Sequence, residues 1–175
     1  MSVMIPAWVN GTLTPVEKLE AHVKGLRHKA ISAFILRGSK LLIQKRAAGK
    51  YHTPGLWANT CCTHPMWGES GMDCATRRLD EELGIRGVPL TQRETLEYRA
   101  DVGNGLIEHE VVEVFVGQVD HLTWDLNPDE VAAVEWVDLE ALKRDTELNP
   151  ARYTAWLKIY LKEHLHLIFG DLAIA

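Results

Sequence analysis

Two apolar runs separated by a glycine turn dominate the first third of the chain. Ala30-Ile31-Ser32-Ala33-Phe34-Ile35-Leu36 is followed by Gly38-Ser39 and then by Leu41-Leu42-Ile43-Gln44-Lys45-Arg46, a pattern that predicts a β-hairpin. Upstream, residues 15–25 set Val16, Leu19, Ala21 and Val23 among charges and end on Gly25, which predicts a short helix. Residues 47–55 form a basic, turn-rich loop containing Pro54-Gly55, and residues 56–62 have the aromatic and small side chains of a strand. The clearest helical period starts near Glu69-Ser70 and stops at Gly84, with Met72, Ala75, Leu79 and Leu83 on one stripe. Strands are predicted over 94–100, 107–117 and 131–137, with Gly103-Asn104-Gly105 turning the chain between the first two. A short helix over 139–143 and a longer one from 150 to about 167 close the chain. This order lacks regular βα alternation, so the predicted class is α+β, a mixed β-sheet sandwich flanked by helices.

Composition narrows the functional classes. The chain has 175 residues, 46% apolar and 25% charged, which suits one globular domain spanning 1–175. Nineteen Lys and Arg against 24 Asp and Glu give a net charge of -5, a poor balance for a general nucleic-acid or anionic-membrane binder. Cys61, Cys62 and Cys74 offer no disulfide framework, which points to a reducing compartment. The first eighteen residues carry one basic residue, Lys18, and the last five, Asp171-Leu172-Ala173-Ile174-Ala175, hold no lipidation motif. The expectation is a cytoplasmic protein with a small-molecule ligand, no nucleic-acid or membrane partner, and a monomeric or weakly dimeric state.

The helix ending at Gly84 carries Glu81 and Glu82, with Arg77 and Arg78 one turn earlier. Taken alone these are solvated ion pairs worth tenths of a kcal/mol each. The surrounding segment, however, resembles the Nudix box. Glu69, Arg77, Leu79, Glu81, Glu82 and Gly84 fall on its positions, while Thr63 stands where the box begins with Gly and Arg78 where it has Glu. In Nudix hydrolases that Glu belongs to the Mg²⁺-binding set, so the resemblance argues against ordinary diphosphate hydrolysis here.

A second constellation comprises His22, His28, Cys62-Thr63-His64 and Glu108-His109-Glu110. Glu108 and Glu110 are two apart on a predicted strand and share a face. Each histidine alone reads most simply as a surface or capped core residue. Together with two same-face carboxylates they make a candidate metal site. The set resembles type I isopentenyl-diphosphate Δ-isomerases, a branch of the Nudix fold with a Cys-Gly-His-Pro block, an Arg-Arg variant of the box and a Glu-x-Glu strand. Here these are Cys62-Thr63-His64-Pro65, Arg77-Arg78 and Glu108-His109-Glu110, with Asn59, Arg46, Lys50, Tyr98-Arg99-Ala100 and Trp156 in matching order. The match runs from about residue 17 to 156.

That resemblance implies a reversible shift of a double bond between isopentenyl and dimethylallyl diphosphate through a carbocation-like intermediate. It assigns Cys62 and Glu110 as the proton-transfer pair, with Tyr98 relaying or supporting Glu110, and favours Glu110 with Tyr98 as donor and Cys62 as base. It implies a divalent ion, Mn²⁺, Mg²⁺ or Zn²⁺, on His22, His28, His64, Glu108 and Glu110, and a Mg²⁺ bridging the substrate diphosphate and Glu82. Arg46, Lys50 and Arg78 match the cations that hold the diphosphate, and Trp156 the aromatic that covers the hydrocarbon and can steady positive charge. Two other readings stand beside it: a Nudix hydrolase of a nucleoside or other diphosphate, and a non-catalytic metal- or partner-binding domain. Trp57 and Trp67 are read as packing residues.

Overall fold

A computed structural model describes residues 2–170; Met1 and residues 171–175, where the C-terminal motif reading falls, lie outside the described residues. The N-terminal segment differs from expectation. Strands β1 (Met4–Val9) and β2 (Thr12–Glu17) form a hairpin, so Pro15 and Val16 are in a strand, and α1 covers only Lys18–Val23. The hairpin signal is Asn10-Gly11: both residues have positive φ, 51° and 79°, as a two-residue primed turn requires. Helix α1 starts at 18 because the Glu17 carboxylate accepts from the Glu20 backbone N–H at 2.8 Å.

Strand β3 (Arg27–Arg37) is the spine of a mixed sheet that joins all nine strands found among the described residues. Its expected hairpin with β4 (Lys40–Arg46) exists only at the turn, where Leu36 pairs Leu41 and Arg37 pairs Lys40. Beyond that β4 leaves to pair with β9 (Val131–Asp138) and β5 (Trp57–Ala58). One edge of β3 runs parallel to β8 (Ile107–Gln118) over ten residues, from Arg27 opposite His109 to Leu36 opposite Gln118. The other edge is shared along its length by β1, β6 (Cys61–Thr63) and β4. The single strand expected over 56–62 is thus two short strands, and β6 stops before His64. Strand β7 (Thr91–Asp101) pairs antiparallel with β8.

Helices cover the two faces of β3, and the period of two decides what each face carries. Ile31, Ala33 and Ile35 pack with helix α2 (Gly71–Leu83) through Cys74, Ala75, Leu79 and Leu83. Ala30, Phe34 and Leu36 pack on the other face with α4 (Ala155–Glu163) and α5 (Leu165–Phe169) through Trp156, Tyr160, Ile168 and Phe169. Helix α2 matches its predicted limits, with Ser70 capping the start and Gly84 left-handed (φ 64°) at the end. Its buried stripe runs through Cys74 and Glu82, while Met72 faces outward. The expected helix 139–143 extends as α3 (Leu139–Leu148). The expected long final helix is broken: a 3₁₀ turn at Pro150–Arg152 leads to an extended Tyr153, which bridges to Trp57 before α4 begins.

Candidate active site

Strand register assembles the centre of the site. In the parallel β3–β8 pair His28 lies opposite Glu110, and in the antiparallel β7–β8 pair Tyr98 lies opposite the same residue. Glu108, two residues earlier, shares that face. The Tyr98 hydroxyl lies 2.7 Å from Glu108 Oε2 and 2.8 Å from Glu110 Oε2, bridging two buried carboxylates. His64, just past β6, places Nε2 2.9 Å from Glu110 Oε1, and His28 Nε2 is 3.7 Å from that oxygen. Helix α1 adds His22, whose ring centroid is 4.7 Å from that of His28 and 4.9 Å from that of His64.

The imidazoles are held in a defined tautomer. His22 Nδ1 lies 2.7 Å from the Lys18 carbonyl and His28 Nδ1 2.7 Å from the Leu26 carbonyl, so each Nδ1 donates and each Nε2 keeps a free lone pair. Both Nε2 atoms are buried with no hydrogen-bond partner among the described residues. Ligand atoms of His22, His28, His64 and Glu110 all lie within 4.8 Å of one another, and a second group, His22, His52 and Glu108, does likewise. Glu108 therefore sits beside the four-residue group expected to include it, with His52 Nε2 3.8 Å from its Oε1. Burial and then neighbouring His28 pull the His22 imidazole down to about 4, and burial and then Arg46 pull His52 down to about 3. Burial and the adjacent Glu110 push the Glu108 carboxyl up. Burial also opposes ionisation of Glu110, but its contacts with His28 and His64 overcome it and hold that carboxyl down.

Cys62 enters from β6. It pairs with Ser32, whose hydroxyl lies 3.2 Å from Cys62 Sγ and 3.0 Å from the Tyr160 hydroxyl. Burial, then the Glu110 and Glu108 charges, push the Cys62 thiol up, so it carries its proton in this state. Adjacent Cys61 points to the α2 face, and Cys74 is buried on the inner side of α2 itself. Cys62, His64, Glu108 and Glu110 line one small cavity with Arg46, Lys50 and Trp156. Arg46 is buried, donates to the His52 carbonyl at 3.2 Å, and sits 5.3 Å from the Trp156 ring, with its Nε unpartnered among the described residues. Glu82, 5% exposed, accepts from Gln44 at 3.1 Å and from Arg78 at 3.1 and 2.6 Å.

Residues 26–157 match the model of the NUDIX domain family. The chain is 64% identical over 175 residues to an isopentenyl-diphosphate Delta-isomerase of Roseobacter denitrificans, covering 99% of both chains. It is 62% identical over 170 residues to one of Jannaschia sp., covering 97% of both. The chain belongs to the isopentenyl-diphosphate Delta-isomerase family. Its fold is also that of solved structures of low sequence identity. A Deinococcus radiodurans protein superimposes with a TM-score of 0.71 at 14% identity, covering 91% of this chain and 96% of its own. A MutT NUDIX hydrolase of Burkholderia pseudomallei gives 0.61 at 24% identity, covering 79% and 98%. At those identities the likeness concerns the fold alone.

For an isomerase-family chain, the residues expected from sequence converge. His22, His28, His64 and Glu110 surround one point and Tyr98 bonds the other oxygen of Glu110; Cys62, Glu82, Arg46, Lys50, Arg78 and Trp156 line the cavity beside it. Trp67 is 47% exposed and does not pack in the core. Sequence reading missed Lys18, Tyr51 and His52, which line the same cavity, and Glu130, which contacts Lys50 and Arg78. Lys18 lies four residues before His22, one helical turn, and that spacing was the available signal. No helix among the described residues is long and apolar enough to cross a membrane.

Proposed function

We propose that this protein interconverts isopentenyl diphosphate and dimethylallyl diphosphate by protonating one alkene carbon and removing a proton two carbons away. An alkene is a very weak base, so positive charge must develop at the tertiary carbon. The reaction needs two proton carriers around an enclosed pocket. The observation that carries the reading is that Cys62 and Glu110, the latter bonded to Tyr98, border one buried cavity roofed by Trp156. The reaction is reversible, so each carrier donates in one direction and accepts in the other. In the forward direction Glu110 with Tyr98 is read as the donor and Cys62 as the base, the order favoured from the family resemblance. The Trp156 π face steadies developing cation by about 2 kcal/mol or more when desolvated.

Two buried, partnerless Nε2 lone pairs beside a carboxylate fit a divalent ion. His22, His28, His64 and Glu110 would hold it, with Glu108 beside them in the group it forms with His22 and His52; Mn²⁺, Mg²⁺ and Zn²⁺ all suit three imidazoles and carboxylate. Such an ion supplies positive charge that fixes Glu110 and sets its acidity. A Mg²⁺ ion shared between Glu82 and the diphosphate suits the preference of Mg²⁺ for phosphate oxygens and few carboxylates. Arg46, with an unspent N–H, and Lys50 and Arg78 supply charge-assisted hydrogen bonds to the diphosphate. We place the activity in the cytoplasm, where a free Cys62 stays reduced.

The test is incubation with isopentenyl diphosphate and Mg²⁺, followed by acid treatment. The allylic product decomposes in acid and the homoallylic substrate does not. Acid-labile product without released phosphate is expected; phosphate release without allylic product would overturn the reading in favour of a diphosphate hydrolase.

A further inference from the structure

Two cavities meet at a wall of cations. The inner one, which holds Cys62 and Glu110, leaves about 30 Å³, room for roughly one water. A five-carbon chain needs several times that volume. The outer one, about 220 Å³, opens toward Arg77, Glu81 and Glu130. Lys18, Lys50 and Arg78 border both. Two of these cations are already engaged by a single carboxylate: Glu130 Oε2 is paired with Lys50 Nζ, and Oε1 lies 3.3 Å from Arg78 Nη2, an arginine that Glu82 and Glu81 also hold at 2.6 and 2.9 Å.

The position of Glu130 is fixed by backbone bonds on both sides of the passage. Its carbonyl accepts from Ala47, at the start of the loop carrying Lys50, at 3.0 Å, and its N–H donates to Asn127 at 3.0 Å. Asn127 in turn donates to the Glu82 carbonyl at the end of α2 at 3.0 Å. The carboxylate is therefore presented to the cations by the fold.

We infer that Glu130 occupies, in the free protein, the place a diphosphate takes between Lys50 and Arg78, and that the arriving anion must displace it before the inner cavity opens. The inference rests on the reading of Lys50 and Arg78 as diphosphate ligands. A diphosphate carries more charge and more acceptor oxygens than one carboxylate, so it can take Lys50 from Glu130 and share Arg78 with Glu82 and Glu81. Release of Lys50 frees the loop that carries Tyr51 and His52, two residues lining the inner cavity beside Arg46 at the end of β4. Glu130 thereby makes entry of the hydrocarbon conditional on the anionic end of the ligand.

The experiment is calorimetric titration with inorganic pyrophosphate, without added Mg²⁺, on wild type, Glu130→Gln, Glu130→Ala and Lys50→Ala. Both Glu130 variants should bind pyrophosphate more tightly, by about fivefold or more, since that is the upper end of what an exposed ion pair is worth and these side chains are partly buried. Lys50→Ala should bind it more weakly. Orthophosphate, with fewer oxygens to span both cations, should bind the wild type more weakly than pyrophosphate does. Unchanged or weaker pyrophosphate binding in both Glu130 variants, with Lys50→Ala still weakened, overturns the displacement and leaves the diphosphate subsite standing. Unchanged binding in Lys50→Ala removes the subsite and the inference with it.

Discussion

Adjacent cysteines on β6 differ in everything but composition. Cys61 faces α2 and is fully buried among Ala33, Leu79 and Leu83; Cys62 faces the cavity against Ser32. Cys62→Ala should lower isomerisation by at least the roughly 10²–10⁴-fold ascribed to a lost general acid or base. Cys61→Ala and Cys74→Ala should keep most activity and lower only the melting temperature. Comparable initial-rate losses in Cys61→Ala would show that the wrong thiol has been assigned. Glu82 supports a second contrast. Its carboxylate is bound by Arg78 and Gln44 and lies outside the His/Glu cluster. Glu82→Gln should leave the resting metal content unchanged by elemental analysis, yet weaken Mg²⁺-dependent diphosphate binding and slow turnover, since one carboxylate holds Mg²⁺ poorly without phosphate. Loss of resting metal in that variant would merge two sites held here to be separate.

Elements position these residues through register and through their ends. A one-residue slip between β3 and β8 would turn Glu108 and Glu110 away from His28, so the parallel pairing itself is part of the site. The end of α2 is fixed by Gly84, which has φ 64° and where an added Cβ would lie 2.7 Å from the backbone of Asp125. Gly84→Ala should destabilise the fold by about 1–3 kcal/mol through backbone strain and clash. The melting temperature should drop by roughly 2–4 °C for each kcal/mol. Helix α2 was legible because cap, stripe and terminal glycine are all local signals. The N-terminal hairpin was not, because Val16, Leu19 and Val23 satisfy a helical period (i, i+3, i+7) although Val16 belongs to a strand and the other two to a helix. The last helix was overextended because the bridge from Tyr153 to Trp57, a contact across the chain, overrides local helical preference.

For the molecule as a whole, the buried histidines couple metal loading to stability. A ligand bound only by the folded state adds about 2.7 kcal/mol at one hundred times its dissociation constant. Stripping divalent ions with a chelator should therefore lower the melting temperature, and re-addition should restore it. His64→Ala and Glu108→Gln should retain less metal after purification, because each removes a proposed ligand. Full occupancy in both, by elemental analysis, would remove the cluster from consideration as the metal centre.

The sequence by itself determined the family-wide pattern: the Nudix-like helix, the Cys62-Thr63-His64-Pro65 block and the Glu-x-Glu strand, each a short motif whose spacing is readable over neighbouring residues. It also determined that Glu108 and Glu110 share a face, since that follows from the period of a strand. Only the tertiary structure decided which chains of contacts those motifs enter. Parallel pairing across some eighty residues brings His28 to Glu110. Folding of the 47–55 loop over the sheet brings Tyr51 and His52 into the cavity, and the turn before β9 sets Glu130 between Lys50 and Arg78. Such contacts depend on which distant surfaces bury one another, a property of the packed core that no local period encodes.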